Sequence, residues 1–325
     1  MIYSFTDIQI NRAFYLIKKS KNILLVAHRK PDSDTIGSSL ALYNIFKKLE
    51  KNIYCYCQDS IPEKFNFILE STNFIVSNEI ISKISEIDLI ITLDSGNINM
   101  TGINKLPFDK IIPIINIDHH QDSTYFGKIN IIKGNTSSTA EIIYDILERV
   151  GLPINKEVAT CLLMGIFGDT DSFKNSNTTD KTLIITSKLL VAGAKLKQIT
   201  KFTLQDKSLS TLKLWGEILS RIKKNKGLNM VSTVITREDL ERSSASYDDL
   251  EGISNFLNSI PEARASLVLT EREGEIKGSL RTLRKNIDVS KIAHLFGGGG
   301  HKKAAGFTIP GQLVKREGKW KIINN

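Results

Sequence analysis

Only three cysteines occur among the 325 residues: Cys55, Cys57 and Cys161. That odd, small number excludes a disulfide framework. Cys55 and Cys57 alternate within Ile53-Tyr54-Cys55-Tyr56-Cys57, so they read as reduced side chains on one face of a strand, not as a zinc site. Apolar runs are short, and none reaches the roughly 20 residues of a membrane span. The opening MIYSFTDIQINRAFYLIKKS lacks a charged start followed by an apolar core and a cleavage site. The expectation is therefore a cytoplasmic protein with no membrane partner. Internal repeats and low-complexity segments are absent. Histidine is scarce too, at five, which makes the placement of each one informative.

Three of the five stand where an apolar run stops. Ile23-Leu24-Leu25-Val26-Ala27 runs into His28, with Asp32 and Asp34 close behind. The run Ile111 to Ile117 ends on Asp118-His119-His120, and Leu89-Ile90-Ile91-Thr92-Leu93 ends on Asp94. Asp169 and Asp171 follow the apolar stretch Leu162 to Phe167. Apolar runs alternating with amphipathic segments predict an α/β fold for the first 190 or so residues, a mostly parallel sheet flanked by helices. Ligands of such sheets collect beyond the carboxyl ends of the strands, where three of these four clusters fall.

Charge divides the chain. Residues 1–210 hold 24 Lys+Arg against 22 Asp+Glu, and residues 211–325 hold 20 against 13, so the second part carries +7 of the net +9. A near-neutral half with clustered carboxylates, joined to a basic half, suits a phosphate-bearing substrate. The pattern predicts a domain over 1–195, a helical connector over 196–226 and a smaller α+β domain over 227–325, with the active site in the cleft between the domains. In the second part the expected elements are strand 228–235, helix 247–258, strands 265–270 and 275–283, helix 289–296 and strand 304–309. The basic tail 311–325 would add one edge strand. Thr136-Ser137-Ser138-Thr139 reads as a capping cluster before helix 140–150.

His28-Arg29-Lys30-Pro31-Asp32-Ser33-Asp34 puts an imidazole and two carboxylates on one strand-to-helix loop. Asp94 arrives from the next strand end, where a lone carboxylate can bridge two metals. Oxygen donors with a few imidazoles and no thiolate favour Mn²⁺ or Mg²⁺ over zinc. Two such ions roughly 3.5–4 Å apart suit in-line attack on phosphorus. Against this stands the ordinary role of a lone Asp at a strand end, which is a turn or cap.

The residues His28 to Ser38, then Asp94, Asp118-His119-His120 and Gly168-Asp169-Thr170-Asp171, resemble the four motifs of the DHH phosphoesterase superfamily. Ser279-Leu280-Arg281-Thr282 and Gly297-Gly298-Gly299-Gly300-His301-Lys302-Lys303 resemble its associated C-terminal substrate domain. Length and layout are similar to the branch that degrades very short oligonucleotides and dephosphorylates adenosine 3′,5′-bisphosphate. The resemblance implies that His28 and Asp32 hold one Mn²⁺ ion, that Asp34, His119 and Asp169 hold another, and that Asp94 bridges both. It implies that His120 contacts the scissile phosphate and that Asp118 orients a histidine from behind. Arg281 would grip a substrate phosphate, and His301 would contact phosphate or base. Gly298, Gly299 and Gly300 would let the nucleotide approach, their amides forming an anion nest. Arg284 and Lys285 are further candidates, and Asp171 stands where relatives commonly carry glycine.

The expected activity is thus metal-dependent cleavage of short single-stranded RNA or DNA from an end; a homodimer is compatible with it. Alternatives within the superfamily are a single-strand DNA exonuclease, a cyclic-dinucleotide phosphodiesterase and a pyrophosphatase or polyphosphatase. The alternative outside it is a nucleotide-binding protein without catalysis. A missing ligand would mark that last reading, and all six expected ligand positions are filled.

Overall fold

The computed structural model describes residues 7–68, 74–109, 111–201, 208–250, 252–284 and 286–323. The chain forms two compact units, residues 1–206 and 207–325. In the first, helix α1 (Asp7–Lys19) precedes strand β1 (Asn22–Val26), helix α2 (Ser33–Lys48) and strand β2 (Asn52–Cys57). Strand β3 (Phe74–Val76), the short helix α3 (Ser77–Ile80) and strands β4 (Leu89–Leu93), β5 (Ile114–Asp118) and β6 (Ile129–Ile132) follow. Helices α4 (Thr139–Arg149), α5 (Lys156–Asp169), α6 (Asp180–Val191) and α7 (Leu196–Thr200) complete the unit.

The six strands pair in the order β3-β2-β1-β4-β5-β6, every pair parallel. Ile23 and Leu25 of β1 enter one buried cluster with α1, α2, α4 and α5, while Leu24 and Val26 enter a second cluster on the other face. This is the period-two alternation of a strand covered on both sides, which explains its unbroken apolar sequence. Chain order reverses between the adjacent strands β1 and β4, so the crevice for a ligand lies beyond their carboxyl ends. Helices α2 and α5 cross closely. A Cβ on Gly37 would lie 2.4 Å from the Cys161 carbonyl oxygen, and one on Gly165 would lie 2.7 Å from an Asp34 carboxylate oxygen.

The second unit opens with helix α8 (Leu209–Ser220), strands β7 (Lys223–Asn225) and β8 (Met230–Ile235), and helices α9 (Arg237–Ser243) and α10 (Ile253–Asn258). Strands β9 (Ala265–Glu271) and β10 (Glu275–Arg281), helix α11 (Val289–Leu295) and strands β11 (Gly299–His301) and β12 (Ala304–Pro310) follow. Their sheet runs β11-β12-β10-β9-β8-β7, antiparallel except for β8 beside β9. Both tryptophans lie here. Trp215 donates its indole N–H to the Asp249 carbonyl, and Trp320 lies under the Arg221 guanidinium.

Several elements differ from the sequence expectation. The helix expected over 247–258 is a 3₁₀ turn, Tyr247–Leu250, followed by α10, with Gly252 before α10 at φ +91°. The tail forms a two-stranded hairpin, β13 (Gln312–Arg316) and β14 (Lys319–Ile323), in place of one edge strand. The end of the expected helical connector 196–226 instead contains β7, whose three residues are all exposed. Gly299 and Gly300 belong to a strand and are not a free loop.

Candidate metal centre

Strand ends deliver the site. His28 lies two residues beyond β1, Asp94 one residue beyond β4, and Asp118 closes β5. Asp94 takes a left-handed backbone, φ 57°, a conformation that Asp tolerates and most residues do not. Asp32 is the N-cap of α2. Its Oδ1 accepts from the amides of Asp34 and Thr35 at 2.9 and 3.1 Å. Asp34 follows in the first turn, fully buried, and Asp169 ends α5.

These side chains converge in three overlapping sets whose donor atoms lie within 4.8 Å of one another: His28, Asp32 and Asp94; Asp34, His119 and Asp169; and Asp94, His119 and His120. Asp94 faces both ways. Its Oδ2 is 3.5 Å from His28 Nε2, and its Oδ1 is 3.4 Å from His119 Nε2. His119 Nε2 is also 3.1 Å from Asp169 Oδ2. The geometry places one carboxylate oxygen of Asp94 on each side of the site.

Electrostatics at the cluster favour a cation. Burial pushes Asp34 well above the usual carboxylate range, and the charges of Asp94 and Asp32 push the same way; amides of Ala140 and Thr139 oppose them. Burial raises Asp169 as well, followed by the charges of Asp34 and Asp94. Burial would lower His28, but its bonds to Asp32 and Asp94 override this and bring it up to about 11. Burial also works to raise Asp94, which the His28 bond and the charges of His119, His28 and His120 hold below the carboxylate range. Among the described residues no lysine or arginine pairs with Asp34, Asp94 or Asp169. The donor set fits divalent cations that take carboxylate oxygen and imidazole nitrogen. His28 Nδ1 lies 2.7 Å from the Arg29 carbonyl, which leaves Nε2 facing the carboxylates, the arrangement of a metal-binding histidine.

His120 differs from the other two histidines. Its Nδ1 is 2.7 Å from Asp118 Oδ1, and its backbone amide donates to the same oxygen. The Asp118 bond is the largest cause that lifts its pKa to about 9, against the effect of burial. Asp118 is fully buried and spends that oxygen on His120. With a side chain 36% exposed, against 13% for His28 and 16% for His119, His120 is the most open of the three. Asp171 lies outside the three sets and pairs with Lys174 at 3.2 Å.

Thr139 and its neighbours were not singled out as site residues by sequence. The Thr139 amide donates to Asp34 Oδ2 at 2.6 Å, the Ala140 amide to Asp34 Oδ1 at 2.9 Å, and the Thr139 hydroxyl to Asp94 Oδ1 at 3.1 Å. Four hydroxyl residues in a row exceed what one helix cap needs, and that surplus was the available signal.

In the second unit, β10 pairs Arg281 with Ala304 of β12, which pairs with His301 of β11, so the three backbones share one row across the sheet. Arg281 is half-buried, and burial alone lowers its pKa. No carboxylate pairs with it among the described residues; its one bond is to the Leu280 carbonyl. The His301 side chain and Lys285 lie outside the described residues, and Arg284 donates to the Pro261 carbonyl. A Cβ on Gly298 would lie 2.2 Å from the Gly306 carbonyl oxygen, so close packing demands glycine there. The amides of Gly297 and Gly298 already donate to α11. His294 of α11 bonds the Gly298 carbonyl through Nδ1 at 2.9 Å.

Comparison with known proteins agrees with this architecture. The model of the DHH family N-terminal domain matches residues 22–166, and that of the DHHA1 domain matches residues 216–319. The bifunctional oligoribonuclease and PAP phosphatase NrnA of Thermus thermophilus is 31% identical over 289 residues, 89% of this chain and 84% of that one. The chain belongs to the DHH family. The protein of the same description from Bacillus subtilis is 27% identical over 293 residues, 88% of this chain and 89% of its own. Among solved structures, an exopolyphosphatase-related protein from Bacteroides fragilis superposes with a TM-score of 0.88 at 28% identity, covering 93% of this chain and 91% of that one. Among the described residues no helix is long and apolar enough to cross a membrane.

Proposed function

We propose that this chain is a two-metal phosphoesterase that degrades short oligonucleotides from an end to mononucleotides and dephosphorylates adenosine 3′,5′-bisphosphate. The observation that carries the reading is Asp94, with one carboxylate oxygen toward His28 and the other toward His119. Relatives described as oligoribonuclease and PAP phosphatase support the substrate class.

In this reading His28 and Asp32 hold one Mn²⁺ ion, Asp34, His119 and Asp169 hold a second, and Asp94 serves both. When bound, the pair supplies Lewis acidity and charge neutralisation at the reacting phosphate. Asp118 fixes the His120 ring through Nδ1, so that Nε2 meets a phosphate oxygen and stabilises charge developing there. Arg281 binds a substrate phosphate through its planar fork, with His301 and the segment Gly298-Gly299-Gly300 beside the nucleotide.

A product time course with Mn²⁺ tests the proposal on labelled dinucleotides, longer RNA, longer DNA and adenosine 3′,5′-bisphosphate. Rapid conversion of two- to five-mers with little attack on long strands is expected. Preferential digestion of long DNA would instead identify a single-strand exonuclease.

A further inference from the structure

We infer that Thr139 is a positioning residue for the Asp34, His119 and Asp169 side of the metal centre. The inference rests on the two-metal reading above. Thr139 is fully buried at the first position of α4 and makes two bonds to two different carboxylates, amide to Asp34 and hydroxyl to Asp94. Asp34 therefore accepts backbone amides on both oxygens, from Thr139 and Ala140, at a helix N-terminus whose dipole favours its negative form. The hydroxyl reaches Asp94 on Oδ1, the oxygen that faces His119 and not the one that faces His28. Its influence thus falls on the Asp34, His119 and Asp169 side of the site.

The segment that carries Thr139 is itself braced. Glu141, buried in the same helix turn, accepts from the Ser137 hydroxyl at 2.6 Å and from the Thr182 hydroxyl at 2.9 Å. Asn177 donates to the carbonyls of both Ser137 and Asp169. The first turn of α4 is therefore a fixed template against which two carboxylates are aimed.

The test is calorimetric titration of the full-length protein with Mn²⁺, together with the electron paramagnetic resonance signal of the spin-coupled ion pair. Thr139→Val and Thr139→Ala remove the hydroxyl, the second without added bulk, and Thr139→Ser retains it. Loss of the hydroxyl should leave one ion at wild-type affinity and weaken the other about tenfold or more, the scale set by partners of metal ligands. The spin-coupled signal at two equivalents should fall accordingly, and Thr139→Ser should recover both. Two ions bound to Thr139→Ala at wild-type affinity would overturn the inference. So would equal weakening of both ions without rescue by serine, which marks a purely structural residue. Wild-type protein that binds fewer than two ions would remove the two-metal reading itself, an outcome distinct from either.

Discussion

Asp94 meets two demands in a single residue. It must turn the chain at φ 57° and present an oxygen to each side of the site. Asp94→Ala removes both oxygens, and we expect turnover to fall at least about three orders of magnitude, the scale of losing a catalytic unit; a loss under about tenfold would refute the bridging role. Arg281 makes a contrasting case. Its half-buried guanidinium has no carboxylate partner among the described residues and bonds the Leu280 carbonyl, and in the proposed reading it serves a substrate phosphate. Arg281→Ala should raise KM for nucleotide substrates by about tenfold or more while kcat changes little, as for binding felt equally in ground and transition states. Steady-state kinetics on a dinucleotide checks this, and an unchanged KM would remove Arg281 from the site. The residues that cluster in the first unit were legible in sequence because each stands at or shortly after the end of an apolar run. Thr139 was not, because a hydroxyl before a helix is explained well enough as a cap.

At the scale of elements, Asp239 is a stability hub of the second unit. Its carboxylate closes the capping box of α9 and accepts from Arg221 at 2.5 and 2.7 Å and from Arg242 at 2.8 Å. Burial works to raise this acid, but the Arg221 and Thr236 bonds bring it down to about 2 from the ordinary 3.8. A group lowered on folding contributes stability above its unfolded value and loses it as pH falls through the folded one. Asp239→Asn should therefore cost roughly 2 kcal/mol at neutral pH. Urea melts of wild type and variant should converge as pH falls from about 4 toward 2, and a gap independent of pH would sink the assignment. The long central strands and two-sided helices were readable because burial writes a period into the sequence. Strand β7 and the terminal hairpin were not, since their exposed Lys-rich residues carry no such period. Helix α9 offers a single buried apolar residue, Leu240, and therefore no stripe.

For the molecule as a whole, the candidate metal centre lies in one unit and both tryptophans in the other. Mn²⁺ at about 100 times its dissociation constant should stabilise the first unit by roughly 2.7 kcal/mol. Far-ultraviolet dichroism, which senses every helix, should show that thermal shift, and chelation should reverse it. The tryptophan-fluorescence melt should move less; identical shifts in both signals would mean that the units unfold as one. Parallel order and the location of the site beyond the strand ends followed from the alternating pattern, whereas the need for glycine at the crossing of α2 and α5 did not. That crossing has a consequence for how the chain can change over generations. Gly165 leaves room for Asp34 itself, so a buried acid of the candidate centre is wedged into the crossing of α2 and α5. Drift at this spot is constrained twice, once by chemistry and once by assembly. A variant library ranked only by yield of soluble protein would discard many altered sites before their activity was ever measured.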